Sequence, residues 1–273
     1  MPVSHLPSRL HGAALAGAAG LVATASSPSL ADTTVFVTAN PLAQAQRAQP
    51  GSVLGADALL LRRGGTLAEA LDGLPGVAAS WFGPNSSRPV IRGLDGERVR
   101  LLESGSAAVD ASSLSFDHAV AVDLLLVERV EVLRGPAALL YGANATGGVV
   151  NAIDNRIPRA PQAGLSGRTE LRLGGASAER AAAVVLDGGA GRWAWHANAF
   201  GRSSRDLKVP GFLPPAAGSA WARRVRNSAA AASGGAVGGS WADDDGHVGL
   251  ALDSYGNRYG VTVEPDVHID MAR

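Results

Sequence analysis

The sequence predicts a small α+β domain followed by antiparallel strands of a transmembrane β-barrel, which the 273 residues do not complete. Three observations predict this. The N-terminus carries an apolar, alanine-rich run typical of an export signal. Up to Pro161, short helical and strand-like patterns alternate between Gly- and Pro-rich turns. After Pro161, segments of roughly ten residues alternate with period two, which is the signature of outer-membrane strands.

The amino-acid composition alone excludes several classes of protein function. With 46% hydrophobic residues the chain can bury a sizeable core. The 24 basic residues balance the 24 acidic ones, so the sequence offers no basic surface for nucleic acid. The absence of cysteine excludes a disulfide scaffold and a thiolate metal site. The 35 glycines follow no repeat and predict many tight turns.

Residues 1–31 are predicted to be a signal peptide. Arg9 and His11 precede the apolar run Gly12–Ala25, and small residues near Ala31 suit a signal peptidase, which would cleave after that residue. The run is too short and too rich in alanine for a spanning helix, which needs about 20 strongly apolar residues. The alternative is a soluble alanine-rich helix.

Residues 32–51 are predicted to be an extended arm on a linker. The arm is the β-prone stretch TVFVT, formed by Thr34, Val35, Phe36, Val37 and Thr38. The Ala-, Gln- and Pro-containing residues that follow present no apolar face at helical spacing, so we expect a tether rather than a helix.

Residues 52–158 are predicted to form the α+β domain. Apolar residues recur at helical spacing from Leu54 to Leu71, and Thr66 with Glu69 makes a capping box for the helix Leu67–Leu71. A further short helix is expected at Ala119–Leu126. The predicted strands are Val77–Trp81, Pro89–Arg92, Val99–Leu102 and Val127–Leu133, and Asn151–Asp154 closes the domain.

Residues 159–273 are predicted to be the N-terminal part of the barrel. A soluble β-sandwich would show the same alternation, and the export signal favours the membrane reading. Barrels close with about eight strands or more, so we expect these strands to form an open, curved sheet. The alternating segments are Leu165–Leu173, Arg180–Leu186, Trp193–Arg202, Ala229–Trp241 and Val248–Tyr255.

The sequence shows no catalytic constellation. It has no phosphate-binding Gly-rich loop followed by Lys and Ser or Thr, and no Gly-x-Ser-x-Gly elbow. The six histidines show no His-Glu-x-x-His spacing. We therefore expect neither an enzyme nor a resident cofactor.

Three blocks of the domain resemble the plug domain of TonB-dependent outer-membrane receptors, in the order that the family has them. They are LAEALDGLPGV at Leu67–Val77, PVIRGLDGERVRLL at Pro89–Leu102 and VERVEVLRGPAALLYGANATGGVVNAID at Val127–Asp154. The resemblance implies a plug inside a barrel in the outer membrane of a Gram-negative bacterium, in contact with its lipid. It also implies active uptake driven by the TonB energy-coupling protein, and the arm looks like the TonB box that pairs with that partner.

A plug must be compact, and this requirement predicts where its glycines and its charged residues lie. Gly135, Gly142, Gly147 and Gly148 are expected where a side chain would clash or φ is positive. We expect polar contacts with the barrel wall rather than a continuous apolar interface. The charges expected to face the wall, or alternatively solvent, are Arg92, Glu128, Glu131 and Arg134.

A narrower resemblance links DASSLSFDHAVAVD, at Asp110–Asp123, and NAIDNRIP, at Asn151–Pro158, to the zinc-uptake subgroup of these receptors. It implies that Asp117 and His118 bind the metal at the outward tip of the plug, with zinc as the transported ligand. The alternative is that Asp117 caps a helix starting at Ala119. Further ligands would come from the barrel, where the possible donors are Asp243–Asp245, His247, Glu264, Asp266 and His268.

The expected function is thus TonB-energised uptake of a scarce nutrient, with zinc or another divalent ion as first choice. A siderophore or similar iron chelate is the alternative substrate. A secreted soluble binding module is the alternative of a different class.

Overall fold

The computed structural model describes residues 51–62, 65–108, 111–214, 220–243, 246–262 and 264–272. The predicted signal peptide and the arm Thr34–Thr38 lie outside these residues. No helix in the described part of the chain is both long and apolar enough to cross a membrane.

The first part of the chain is a plug built on a five-stranded sheet of order β1-β6-β7-β4-β5. Strands β4 and β7 are parallel, and the other pairs are antiparallel. A separate hairpin joins β2 and β3, and 3₁₀ turns cover Gly96–Arg98, Ala111–Ser113 and Pro136–Tyr141. The elements are β1 Gly51–Gly55, α1 Ala56–Leu61, α2 Leu67–Leu71, β2 Val77–Ala79, β3 Pro89–Ile91, β4 Val99–Glu103, β5 Ser106–Ala107, β6 Arg129–Leu133 and β7 Gly148–Ile153.

The plug core forms where α2 covers the sheet. Strand β7 is buried along its whole length, and four of the five residues of β6 are buried. Helix α2 begins as predicted, because the Thr66 side chain accepts a hydrogen bond from the Glu69 N–H at 3.3 Å. The Glu69 carboxylate reaches back to the Gly65 N–H, at 2.6 Å, rather than to the cap residue itself. Both interactions satisfy N–H groups that a helix start leaves unpaired.

Two helix predictions were wrong. Leu54 lies in β1, so helical structure begins only at α1. Residues 119–126 form irregular turns, because the Asp123 side chain accepts the Leu125 N–H at 3.0 Å and closes a local turn. Its apolar residues pack on two sides, Val120 in the plug core and Ala121 and Leu125 on the barrel strands, and these tertiary contacts override the helical spacing.

The second part of the chain is a six-stranded antiparallel sheet of order β15-β14-β13-β10-β9-β8, which we call the wall. Strands β8 and β15 are its two edges, so the sheet is open, as predicted. A small hairpin, β11–β12, lies in the connection between β10 and β13. The strands are β8 Gly164–Gly174, β9 Glu179–Ala190, β10 Trp193–Ser204, β11 Lys208–Phe212, β12 Ala222–Arg224, β13 Ala230–Ala242, β14 His247–Val261 and β15 Glu264–Ala272.

The central strands β9, β10 and β13 alternate between a face covered by the plug and a face without cover. In β10, His196 and Phe200 are buried, whereas Trp193 and Trp195 are 67% and 41% exposed. Large apolar side chains on the uncovered face form the lipid-facing band of a transmembrane sheet. Its other members include Leu165, Leu171, Leu173, Val184, Leu186, Val237, Trp241, Val248, Leu250 and Leu252.

Tryptophans cluster at one end of this band. Trp193 and Trp241 are cross-strand partners, and the Arg192 guanidinium lies 5.1 Å from the Trp241 ring. The Trp195 indole covers Gly188, where a Cβ atom would lie 2.5 Å from the ring. Amphipathic aromatic rings at one end of the strands mark a membrane–water boundary.

The lengths of the connections orient the wall. One end has the short turns 191–192 and 243–246, and the linker from the plug lies beside it, with Ser240 Oγ donating to Pro158 O at 2.5 Å. The opposite end carries the long connection 205–229. Because outer-membrane barrels have short periplasmic turns and longer external loops, we name the second end the outer rim.

The four predicted glycines of the plug occupy constrained positions. Gly135, Gly142 and Gly148 have positive φ, of 90°, 130° and 151°. A Cβ on Gly148 would lie 2.7 Å from the Leu133 carbonyl oxygen, and no L side chain fits that space. Gly147 is crowded by backbone and side-chain atoms at about 3.0 Å.

Candidate functional site

Asp117 and His118 contact each other at the surface of the plug. Asp117 Oδ1 lies 3.0 Å from His118 Nδ1, and both side chains are about one-third exposed. The Ser115 hydroxyl donates to the same Asp117 oxygen, and this hydrogen bond lowers the pKa of the Asp117 carboxyl below its usual range. The pair therefore presents an ionised carboxylate beside an imidazole.

The wall holds this pair near the outer rim. The Tyr259 hydroxyl, late in β14, donates to the Asp117 carbonyl oxygen at 3.1 Å and accepts from the Ala119 N–H at 2.7 Å. Tyr259 is almost fully buried. A single phenol thus positions the backbone on both sides of His118.

The alternative role for Asp117 was wrong. No helix begins at Ala119, since residues 119–123 lack helical hydrogen bonding. The Asp117 carboxylate instead faces Ser115 and His118.

No third donor of the expected kinds joins the pair within the described residues, because they contain no group of three His, Asp or Glu side chains able to hold a metal. His247 and Asp243 lie at the other end of the wall. The side chains of Glu264 and Asp266, and residues 244–245, are outside the described part. The pair therefore stands as two ligands of an incomplete shell.

An aromatic stack adjoins the pair and was not identified from the sequence. The Phe82 and Phe116 rings lie 5.5 Å apart and nearly parallel. Thr262 Oγ1 donates to Phe82 O, and Ser86 Oγ donates to Phe116 O, both at 3.0 Å. The stack is therefore fixed to the plug and to the outer end of the wall.

Large apolar side chains on these loops remain uncovered. Trp81 is 54% exposed, Leu114 is 80% exposed and Phe116 is 50% exposed. A cavity of about 420 Å³ opens beside Phe116. Its lining mixes carboxylates, a guanidinium, an amide and a hydroxyl, from Asp95, Glu97, Arg98, Asn144 and Thr146 among others.

The plug is joined to the wall by ion pairs, and the largest centres on Arg156 in the linker before β8. Its guanidinium lies 2.6 Å from Asp154, 3.2 Å from Glu103 and 3.1 Å from Asp253 of β14. Burial alone would lower the pKa of the Arg156 guanidinium, but these three carboxylates hold it above its ordinary value. The linker is thereby tied both to the plug and to the wall.

We call the boundary between the plug and the wall the seam, and two further polar contacts cross it. Arg202 of β10 pairs with the buried Asp123 at 3.1 Å. Asp187 of β9 accepts from the linker's Asn155 at 2.8 Å and lies 2.7 Å from Nδ1 of the buried His196. Each contact places a buried charge beside a partner, as a low-dielectric seam requires.

The expectation about seam charges was only partly right. Glu131 pairs with Arg129, and Arg134 donates to Pro75 O and Ser52, so both lie inside the plug rather than against the wall. Glu128 does face wall charges. Burial, and then Asp187, raise the pKa of Glu128.

The seam also contains an apolar patch between the polar contacts. Ala121 and Leu125 of the plug pack on small and aromatic residues of the wall. The small wall residues allow the irregular segment 119–126 to lie close to the strands. The wall members are Ala181, Ala183, Phe200, Ala232 and Tyr255.

Comparisons with known proteins agree with this architecture. Residues 43–149 match the family model of the TonB-dependent Receptor Plug Domain. The vitamin B12 transporter BtuB of Vibrio vulnificus is 33% identical over 125 residues, which cover 44% of this chain and 20% of that protein. Heme/hemopexin utilization protein C of Haemophilus influenzae is 31% identical over 151 residues, which cover 46% and 20%.

The fold is shared with a solved receptor. The siderophore receptor PirA of Acinetobacter baumannii superposes with a TM-score of 0.60 at 19% identity, over 83% of this chain and 34% of that one. The matched part spans about a fifth of the length of these curated relatives. The similarities confirm the plug-and-barrel fold and the outer-membrane location, and the similar proteins are named as transporters and receptors rather than enzymes. They give no support to the zinc-uptake subgroup.

Proposed function

We propose that the chain is part of a receptor that takes up a metal chelate with energy from the periplasmic TonB protein, because residues 43–149 match the plug-domain model and wall strands follow them. The observation that carries the substrate class is the outward face of the plug. There the Asp117–His118 pair adjoins exposed aromatic side chains and an open cavity.

The chemistry of this face favours a metal held in an organic ligand over a bare ion. Two protein ligands alone bind a metal weakly, whereas a chelate brings its own donors. Trp81 and Phe116 offer apolar faces that a hydrated ion does not use, but an organic ligand does. The similar proteins named for vitamin B12, heme and siderophores point to the same class.

Free zinc is the second candidate, and the Asp117–His118 contact favours it. An ionised carboxylate and an imidazole are suitable zinc ligands, and the lowered pKa of Asp117 keeps that carboxylate ionised. This candidate needs further donors from residues beyond those described.

Calorimetry on the full-length receptor separates the two candidates. Zinc alone, heme and a ferric siderophore are titrated into the wild type, into Trp81→Ala/Phe116→Ala and into Asp117→Ala/His118→Ala. If the substrate is a chelate, both double variants weaken its binding and zinc alone binds negligibly. If the substrate is zinc, only the second variant loses affinity, by about tenfold or more. Asp57→Ala, at an exposed site on α1, is the matched control. The chelate proposal fails if neither chelate binds the wild type.

The arm Thr34–Thr38 is proposed as the element that TonB binds, by adding a strand. Proline at Val37 removes a ladder hydrogen bond, so uptake should fail while substrate still binds at the surface. Gln44→Pro, in the linker, is the control and should transport normally. Normal uptake by Val37→Pro would show that the arm is not the coupling element.

A further inference from the structure

The hairpin β11–β12 concentrates positive charge in a chain whose net charge is zero. Between residues 205 and 226 the sequence has five basic residues and one acidic residue, Asp206. Asp206 Oδ1 accepts the N–H groups of Ser228 and Ala229, so its charge is turned toward the base of the loop. The basic residues are all exposed, and none pairs with a carboxylate of the described chain; they are Arg205, Lys208, Arg223, Arg224 and Arg226.

Two of these cations are direct cross-strand partners. Lys208 of β11 pairs in register with Arg224 of β12, so both side chains project from the same face of the ribbon. Like charges placed directly opposite each other destabilise a strand pair. An anion between them would turn this repulsion into two charge-assisted hydrogen bonds, for which a phosphate oxygen is well suited.

The hairpin is fixed to the outer rim by two backbone hydrogen bonds. The N–H groups of Arg205 and Lys208 donate to Ser177 O and Ala176 O, at 2.8 and 2.9 Å, in the turn that joins β8 to β9. Strand β8 reaches this turn with Leu173, which is 82% exposed on the lipid-facing band. The basic ribbon therefore lies beside the turn at which the apolar band ends.

Apolar side chains accompany the charges. Trp221 is 72% exposed and lies over Gly211, where a Cβ would come within 3.0 Å of the ring, and Leu213 is 60% exposed. Exposed aromatic and apolar groups beside cations are typical of a membrane–water interface. A site for a small soluble anion would gain nothing from these apolar side chains.

We propose that the β11–β12 hairpin binds the phosphate-bearing headgroup of an outer-leaflet lipid, with Lys208 and Arg224 as its two principal contacts. This site is separate from the substrate face of the plug. It anchors the long outer connection to the membrane surface.

Native mass spectrometry of the full-length receptor in neutral detergent tests the proposal. The receptor is titrated with a lipid carrying a phosphomonoester headgroup, with phosphatidylcholine and with inorganic phosphate. The phosphomonoester lipid should bind, with an affinity that falls as salt rises. Since each basic residue near an anionic lipid is worth about fivefold, Lys208→Gln/Arg224→Gln should bind it about thirtyfold more weakly.

Arg258→Gln is the matched control, because Arg258 is also exposed and lies on the same half of the wall but already pairs with Asp270. Its lipid affinity should stay within about twofold of the wild type. Equal lipid binding by the double variant and the wild type would overturn the proposal. Competition by inorganic phosphate at equal concentration would also overturn it, and would assign the ribbon to a soluble anion.

Discussion

Arg156→Met should loosen the plug from the wall more than any other single charge removal in the seam. Methionine keeps an unbranched apolar chain at this position but leaves Asp154, Glu103 and Asp253 without their shared cation. These carboxylates are 10%, 13% and 28% exposed, so water compensates them only partly. The variant therefore adds mutual repulsion to the loss of three interactions.

The magnitude follows from the geometry. Removing one partner of a buried ion pair costs about 3–5 kcal/mol, and Arg156 is 22% exposed, so we expect the lower end, about 3 kcal/mol. If the free energy of local opening falls by this amount, the amides of the opened segment exchange roughly two orders of magnitude faster. The acceleration should be confined to β7 and to the linker 154–163, where Arg156 acts.

Hydrogen-exchange mass spectrometry of the full-length receptor in micelles measures this directly. Arg258→Met is the control, because the Arg258–Asp270 pair has a short contact, 2.5 Å, but is exposed on both sides. Exchange in the control should match the wild type, since exposed pairs contribute little. Equal exchange of β7 in Arg156→Met and Arg258→Met would refute the reasoning.

Three further predictions concern other contacts. Tyr259→Phe removes the acceptor of a buried N–H, which should cost about 1–3 kcal/mol and speed exchange at residues 117–119. Gly188→Ala forces a Cβ into the Trp195 indole and should lower the free energy of unfolding in urea by about 1–3 kcal/mol, unless Trp195→Ala is added. Burial raises the pKa of Glu69, so its carboxyl favours the fold when protonated and loses that contribution as pH rises through the raised pKa. Glu69→Gln, which keeps an acceptor for Gly65, should therefore slow exchange in α2 at pH 7, with no difference below about pH 4.

The sequence alone determined the elements whose signals are local. Helix α2 has the predicted bounds, because its capping residues act within one turn. The wall strands β8, β9, β10, β13 and β14 were found because alternation is repeated over many residues. The constrained glycines of the plug were also predicted, because a positive φ or a close backbone approach is a local requirement that glycine meets.

Only the tertiary structure decided the rest. The segment 119–126 has helical spacing, yet packing on the wall and the Asp123 turn made it irregular. The side-chain directions of Arg134 and Glu131 depend on partners far away in sequence, Pro75 for the first and Asn151 for the second, and no local pattern encodes those partners. The Phe82–Phe116 stack and the charges around Arg156 likewise join residues distant in the chain. Periodicity reports which face of an element is buried, but the partner of a buried charge is set only when the chain folds back on itself.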